Sequence, residues 1–339
     1  MKDILSFENL YISSCKCARN VRWKKSVAYY LLNQLEETYK LHKQLHEGTY
    51  KERNHKQFKI FEPKERDVLS ISFRDRVYQR TLNDLVIYPT MTKSFIYDNC
   101  ACQKKRGTDF ARGRLRKHLR RFYVENGNNK GYLIHIDIRH YYPNMSHRVA
   151  EELLESKLPP AVYEHVKRML AMYSGERGYF AGSQLIQILG VSVLDRIDHF
   201  IKEKLKVKHY VRYMDDLILV VKDNPYFYLA RIEEQLEKIE FELNTDKTKV
   251  VRLNKGDTFL GFKFSLSETG RVYQCLSTQN MKRRKRKLRR VKYRSQQEME
   301  ESFNTWKSYA QKSTSQKRIR EVIDHYEKFY KNGTSELRS

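Results

Sequence analysis

KHYVRYMDDLILVV, running from Lys208 to Val221, decides how this chain is read. Val211, Tyr213, Leu217, Ile218, Leu219 and Val220 favour strands, and the apolar run breaks once, at Asp215 and Asp216, before it resumes. That pattern predicts a hairpin with both acids at its tight bend. Adjacent carboxylates repel each other, so a sheet tolerates them only where the bend is solvated or a cation sits on them. An Asp-Asp surface turn meets the first condition. A Mg²⁺ site meets the second, because Mg²⁺ is held through few carboxylates together with substrate phosphates.

The 339 residues suffice for a sizeable core with two or three subdomains. Lys and Arg number 67 against 41 Asp and Glu, a formal net charge of +26. Such an excess repels itself unless a polyanion neutralises it, which favours nucleic acid over an acidic small molecule. An anionic membrane surface is the rival partner. No uninterrupted apolar run reaches the roughly 18–20 residues that span a bilayer, so no membrane is expected. The opening MKDILSFENLY carries acids where a secretory leader needs a basic and then an apolar stretch. Five cysteines (Cys15, Cys17, Cys100, Cys102 and Cys275) make an odd count without the density of a disulfide scaffold. Reduced thiols in a cytoplasmic protein are the expectation. The two C-x-C pairs lack the spacing and matching histidines of a zinc site.

Working outward from the hairpin, residues 183–205 read as one long apolar helix before it and 228–240 as an amphipathic helix after it. Strands are expected over 132–138, 249–253 and 258–264. Towards the N-terminus, residues 18–48 read as a helix, 56–73 as short strands around a turn at Pro63, and 74–89 as a helix stopped by Pro89. Val77, Leu82, Leu85 and Val86 make that helix's apolar face. Residues 103–123 are strongly basic, and after about residue 278 the chain turns helical and basic. The order implies an α+β fold, with helices against a small antiparallel sheet.

A second acid stands out. LIHIDI ends an apolar strand on Asp137, and a carboxylate there costs several kcal/mol unless it is paired or binds a metal. A salt-bridged strand end is the ordinary account. If this strand lies beside the hairpin, Asp137 and Asp215 could instead hold two Mg²⁺ ions about 3.5–4 Å apart, the clamp used for in-line phosphoryl displacement.

Five segments then carry a family resemblance: Asp137 to Tyr142, Gly182 to Gln187, Tyr213 to Asp216, Leu243 to Thr248, and Phe259 to Phe262. In that order they resemble motifs A to E of reverse transcriptases, and the resemblance spans nearly the whole chain. It implies a right-hand polymerase architecture: fingers after an N-terminal extension in 1–130, a palm in 131–266, and a basic helical thumb in 267–339. The implied activity is RNA-directed DNA polymerisation with two Mg²⁺ ions, with Mn²⁺ as a substitute. The partners would be an RNA template, a DNA or RNA primer and dNTPs. Asp137 and Asp215 match the family's principal metal ligands, and Asp216 the less directly coordinated acid. Tyr142 matches the aromatic gate under the sugar, and Lys247 the lysine that protonates or neutralises leaving pyrophosphate. Lys64, Arg66 and Arg76 match fingers residues gripping triphosphate or template phosphates.

In motif B the chain reads Ala181, Gly182, Ile186 and Gln187 where common reverse transcriptases resemble Q-G-x-x-x-S-P. Ala181 and Gln187 are similar to the variant in diversity-generating retroelements, while Ile186 matches neither pattern. A small apolar residue in place of Gln implies a looser grip on template or nucleotide, hence error-prone synthesis. This branch also implies a small basic accessory protein. The alternatives are a reverse transcriptase of another bacterial lineage, such as a phage-defence system, and a catalytically inactive basic RNA-binding protein.

Met281–Arg294 packs ten Lys or Arg into fourteen residues, Lys282, Arg283, Arg284, Arg286, Arg289 and Arg290 among them. On a helix these wrap all faces, with Leu288 and Val291 as the core contacts. A solvated charged helix is one reading. The other is a thumb tracking nucleic-acid phosphates, with binding that weakens steeply in salt.

Overall fold

The computed structural model describes residues 1, 3–53, 55–61, 65–180, 182–290 and 295–327. Three helices open the chain: α1 (Phe7–Cys17), α2 (Lys25–Leu32) and α3 (Gln34–His46). The single helix expected over 18–48 is thus two, broken at Asn33. A hairpin of β1 (Lys56–Ile60) and β2 (Arg66–Ser70) follows, as the sequence suggests. Next come α4 (Phe73–Leu82), a π-helical turn over Asn83–Ile87, and α5 (Tyr88–Thr92). Pro89 does not stop this helix. It sits in the first turn of α5, where its missing N–H costs nothing, and the wider turn before it absorbs the mismatch. The register shift also turns Leu85 out to solvent, against the expected apolar face.

α6 (Thr108–Asn126) carries the basic run and ends on Gly127. Then come β3 (Tyr132–Asp137), a short α7 (Tyr141–Asn144), α8 (His147–Lys157) and α9 (Pro160–Leu170). Ser146 caps α8, its hydroxyl accepting from the Val149 N–H. The long helix expected over 183–205 divides into α10 (Gln184–Val193), α11 (Asp195–His199) and a π-helical turn over Phe200–Lys204. The hairpin strands are β4 (His209–Tyr213) and β5 (Asp216–Val221), followed by α12 (Pro225–Glu237) and β6 (Lys249–Arg252). β7 (Asp257–Phe259), β8 (Phe262–Leu266) and β9 (Val272–Leu276) form a separate three-stranded sheet. The chain closes with α13 (Thr278–Arg290), α14 (Gln296–Ala310) and α15 (Lys317–Tyr326).

The central sheet is antiparallel, in the order β4-β5-β3-β6. Alternate side chains feed two cores. Ile134, Ile136, Leu217 and Leu219 enter a large core shared with α8 to α10 and α12. Leu133, Val211, Ile218 and Val220 pack on Leu115, Leu119 and Phe122 of α6 and on Phe259, Phe262 and Phe264 of the second sheet. With both faces covered, β5 must be apolar throughout, which explains the unbroken LILVV. The α+β class holds. Among the described residues no helix is long and apolar enough to cross a membrane.

Candidate active site

β3 and β5 pair so that Asp137 lies directly opposite Asp216, while Tyr213 pairs with Asp216 on the other side. This leaves Met214 and Asp215 as the two-residue turn of the hairpin. Met214 takes a left-handed backbone (φ 57°), unusual for a side chain with a Cβ. Arg212 holds it there, its Nη1 donating to the Met214 carbonyl at 3.0 Å. The three acids therefore meet at one end of the sheet. Burial raises the Asp215 carboxyl to about 6, helped by the negative charges of Asp216 and Asp137.

Arg212 is the anchor of this arrangement, and little in the local sequence marks it. It is wholly buried, with Nε 2.7 Å from Asp198 Oδ1, Nη2 2.5 Å from Asp198 Oδ2, and Nη2 also 3.0 Å from the Val191 carbonyl. Tyr210 donates to the same Asp198 at 2.6 Å. An arginine inside an apolar strand must find a buried acid, and that requirement was the one available signal.

Lys247 lies 3.2 Å from Asp137 Oδ2. Its loop is tied to the strand end: the Asn244 N–H donates to the Asp137 carbonyl at 2.8 Å, and the Thr248 hydroxyl accepts from the Asp137 N–H at 3.3 Å. His135, two residues before Asp137 on the same strand face, escaped the sequence reading. Its Nδ1 is 2.7 Å from Asp257 Oδ2 and its Nε2 3.5 Å from Asp216 Oδ1. Burial works against the imidazolium, but Asp216 and Asp257 outweigh it and hold the ring's pKa at about 9. A cationic His135 thus shares the charge of Asp216 and leaves Asp215 the less compensated acid.

A cavity of about 580 Å³ opens over the turn, lined by Asp215, Asp216, Tyr142, Phe180, Asp67 of β2 and Glu65 just before that strand. Tyr142 packs on Gly190 of α10: a Cβ at Gly190 would lie 2.8 Å from its hydroxyl. Tyr141 donates to the Gly190 carbonyl from the adjacent position. Gly182 has φ 146°, and a Cβ there would sit 2.2 Å from the Leu69 carbonyl. Only glycine lets this loop touch β2.

Other expected residues lie elsewhere. Gly182 and Arg76 share a neighbouring cavity with Lys16 and Gln184, and Gln187 lines a third with Arg80 and Lys104. Ile186 is a core residue. Lys282, Arg283 and Arg286 are exposed on α13. Arg284 differs from its expected solvent-facing role: only 5% exposed, it stacks over Phe303 and Trp306 and donates to the Ser302 hydroxyl at 3.2 Å. Lys64, Ala181 and Val291 lie outside the described residues, as do the side chains of Arg66, Arg289 and Arg290. The five cysteines are free thiols.

Among the described residues no group of three or more His, Cys, Asp or Glu side chains is arranged to hold a metal by itself. The carboxylates nonetheless suit an ion completed by substrate oxygens, since Asp215 is raised first by burial and then by the charges of Asp216 and Asp137, and a bound cation would relieve both.

No protein-family model matches the chain, and no curated protein sequence matches it. Among solved structures, it is similar to telomerase from Candida albicans in complex with a fragment of telomeric RNA, with a TM-score of 0.50 and 15% identity over 66% of this chain. The chain spans 45% of that protein's length. Two structures of apo telomerase from Candida tropicalis match at TM-scores of 0.48 and 0.46, 13% identical in both cases, over 65% and 70% of this chain and 55% and 53% of theirs. The shared feature is the fold.

Proposed function

We propose that this chain is an RNA-directed DNA polymerase of right-hand architecture, with the central sheet as palm, the elements before it as fingers and α13 to α15 as a basic thumb. The observation that carries the reading is the meeting of Asp137, Asp215 and Asp216 at one sheet end, with Asp215 held at about 6 by burial and its acidic neighbours. The telomerase-like fold supports it.

In this reading Asp137 and Asp215 would hold Mg²⁺, and Asp216, beside the cationic His135, would support them electrostatically. Bound there, the cations would lower the pKa of a primer 3′-hydroxyl and neutralise charge on the triphosphate. The 3′-oxygen would attack the α-phosphorus as its hydroxyl proton passes to solvent water, and the new P–O bond would form as the bond to pyrophosphate breaks. Lys247, exposed at the rim, would give a proton to the leaving pyrophosphate. Tyr142 would pack beneath the deoxyribose, its ring held in place by Gly190. Replacing Tyr142 with Ala should then relax discrimination against ribonucleotides by about 10–200-fold, the range that steric fit in a pocket supplies. Single-nucleotide incorporation of dNTP against NTP measures it, and an unchanged ratio removes Tyr142 from the sugar site.

The retroelement assignment, with error-prone copying and a small accessory protein, rests on Ala181 and Gln187 in the sequence. If it holds, Ala181→Gln raises fidelity in sequenced cDNA. An unchanged error spectrum removes that inference while leaving the polymerase reading intact.

The polymerase reading is tested by Mg²⁺-dependent extension of a DNA primer on RNA by the full chain. RNA binding without extension, alone or with an accessory protein, would overturn it.

A further inference from the structure

The strands of the central sheet have a second end, and it is the basic one. Tyr132 pairs with Val221 and with Arg252, so the starts of β3 and the ends of β5 and β6 converge there. This is five residues, about 17 Å, from the carboxylates. A cavity of about 640 Å³ opens at this end, between the loop after α6, the β5–α12 link and the end of β6. Lys130, Lys222 and Arg252 line it. All three are exposed, and none has an ion-pair partner among the described residues. Asn224, which caps α12 by accepting from the Phe227 N–H at 3.3 Å, brings the positive end of that helix to the same wall. Asp223, Glu268 and the carboxamides of Asn128, Asn129 and Asn254 complete the lining.

The wall continues into α6. Asn128 bonds the Asn126 carbonyl at 2.9 Å, Asn126 bonds that of Phe122 at 2.9 Å, and the Phe122 ring fills the space beside Gly131. On α6 itself, Arg116, Lys117, Arg120 and Arg121 are exposed on one face, opposite the buried Leu115, Leu119 and Phe122. These four cations likewise have no ion-pair partner among the described residues. From Arg116 to Asn126 the helix runs about 15 Å. The second half of the basic run, Arg116 to Arg121, is therefore an exposed stripe that leads to this cavity, whereas Arg112 and Arg114 earlier in the run are paired with Asp109 and Asp98.

The geometry points to a binding site for single-stranded RNA at this far end of the sheet, with the strand's phosphates on Lys130, Lys222 and Arg252 and its continuation along the outer face of α6. Phosphates would pair three cations that lie beside a helix N-terminus and reach no carboxylate of the lining within ion-pair distance. The carboxylates and carboxamides suit ribose 2′-hydroxyls and base edges, which donate as well as accept. A free ribonucleotide shares this chemistry, but it would leave the 15 Å stripe on α6 without a role. The site does not depend on polymerase activity.

The test is equilibrium binding of a fluorescein-labelled, unstructured 20-nucleotide RNA to the full chain across a salt series. Three phosphate contacts contribute about 2 to the slope of log K against log salt for a single strand. The triple variant Lys130→Gln, Lys222→Gln, Arg252→Gln should lose about 10-fold or more in affinity and about 2 in slope. The control Lys93→Gln, Lys238→Gln, Lys263→Gln removes equal charge from other exposed positions and should lose less than half as much. Equal losses in the two triples, or no loss in the first, overturn the proposal. Photocrosslinking of 4-thiouridine RNA to the unsubstituted protein gives a second arm, with adducts expected in 128–132, 222–224 or 252–254. Adducts confined to other peptides overturn it as well. If millimolar ATP or GTP displaces the RNA adducts, or if the triple variant loses nucleotide binding but keeps RNA binding, the occupant is a free nucleotide and the RNA assignment fails. Asp215→Asn should bind RNA as the unsubstituted chain does, so failure of this site and failure of the polymerase reading are separable.

Discussion

Asp215→Asn should abolish primer extension, by at least about 10³-fold, and at the same time make the protein more stable. The rate loss follows from the several kcal/mol of transition-state charge stabilisation that a carboxylate-held cation supplies. The stability gain follows from the raised Asp215 carboxyl. A native pKa of about 6, above the ordinary 3.8, means that the folded chain holds the proton more tightly than the unfolded one. Stability therefore falls as pH rises from about 4 to about 6, and the penalty, about 2–3 kcal/mol, persists at neutral pH. Asn keeps the shape and removes the charge. The melting temperature at pH 7.5 should rise by roughly 3–4 °C for a chain of this size, and the gain should vanish near pH 4. Millimolar Mg²⁺ should stabilise the unsubstituted chain in the same assay and leave the variant unaffected. A variant that melts lower at pH 7.5 would show that Asp215 is a structural residue with its charge already satisfied.

Asp198→Ala should be the most destabilising single change near the site. Asp198 and Arg212 are both 0% exposed, and removing the acid strands a guanidinium in the core. Breaking such a pair costs about 3–5 kcal/mol. Chemical denaturation should report that loss with little change in m-value. The double replacement Asp198→Leu, Arg212→Met should recover much of it, because two apolar side chains leave no charge to compensate. It should not recover activity, since the Met214 carbonyl loses the donor that holds the turn. Arg212→Lys should also fail, because an ammonium cannot reach Asp198, Val191 and Met214 together as the planar fork does. Recovery of both stability and activity in the double variant would remove Arg212 from the positioning of the turn.

The hairpin was legible because two acids interrupt an otherwise apolar run, and few structures tolerate that. Asp137 was legible for the same reason, a charge ending a buried strand. Arg212 belongs to the same stretch, yet its partner lies fourteen residues back on α11, where an aspartate in a helix looks like ordinary surface. His135 fits the alternation of a half-buried strand, and only the register that brings Asp216 and Asp257 to it gives the ring a task. Arg284 sits among ten cations, with nothing in composition to mark it as buried. The spacing Met281, Arg284, Leu288 does mark it, as a helical seam at i, i+3 and i+7, and Phe303 and Trp306 complete the pocket. Pro89 misled because the stop rule assumes α-helical spacing, which the π-helical turn before it relaxes. Local patterns marked the acids; tertiary pairing decided which charges serve the site.

The most direct measurement is extension of a 5′-labelled DNA primer on a defined RNA template by the purified full chain, with and without Mg²⁺, beside Asp215→Asn, followed by sequencing of the product. The account predicts a Mg²⁺-dependent cDNA complementary to the template that is absent with the variant. A folded chain that binds the primer–template and never extends it, or extension that survives Asp215→Asn, would contradict it.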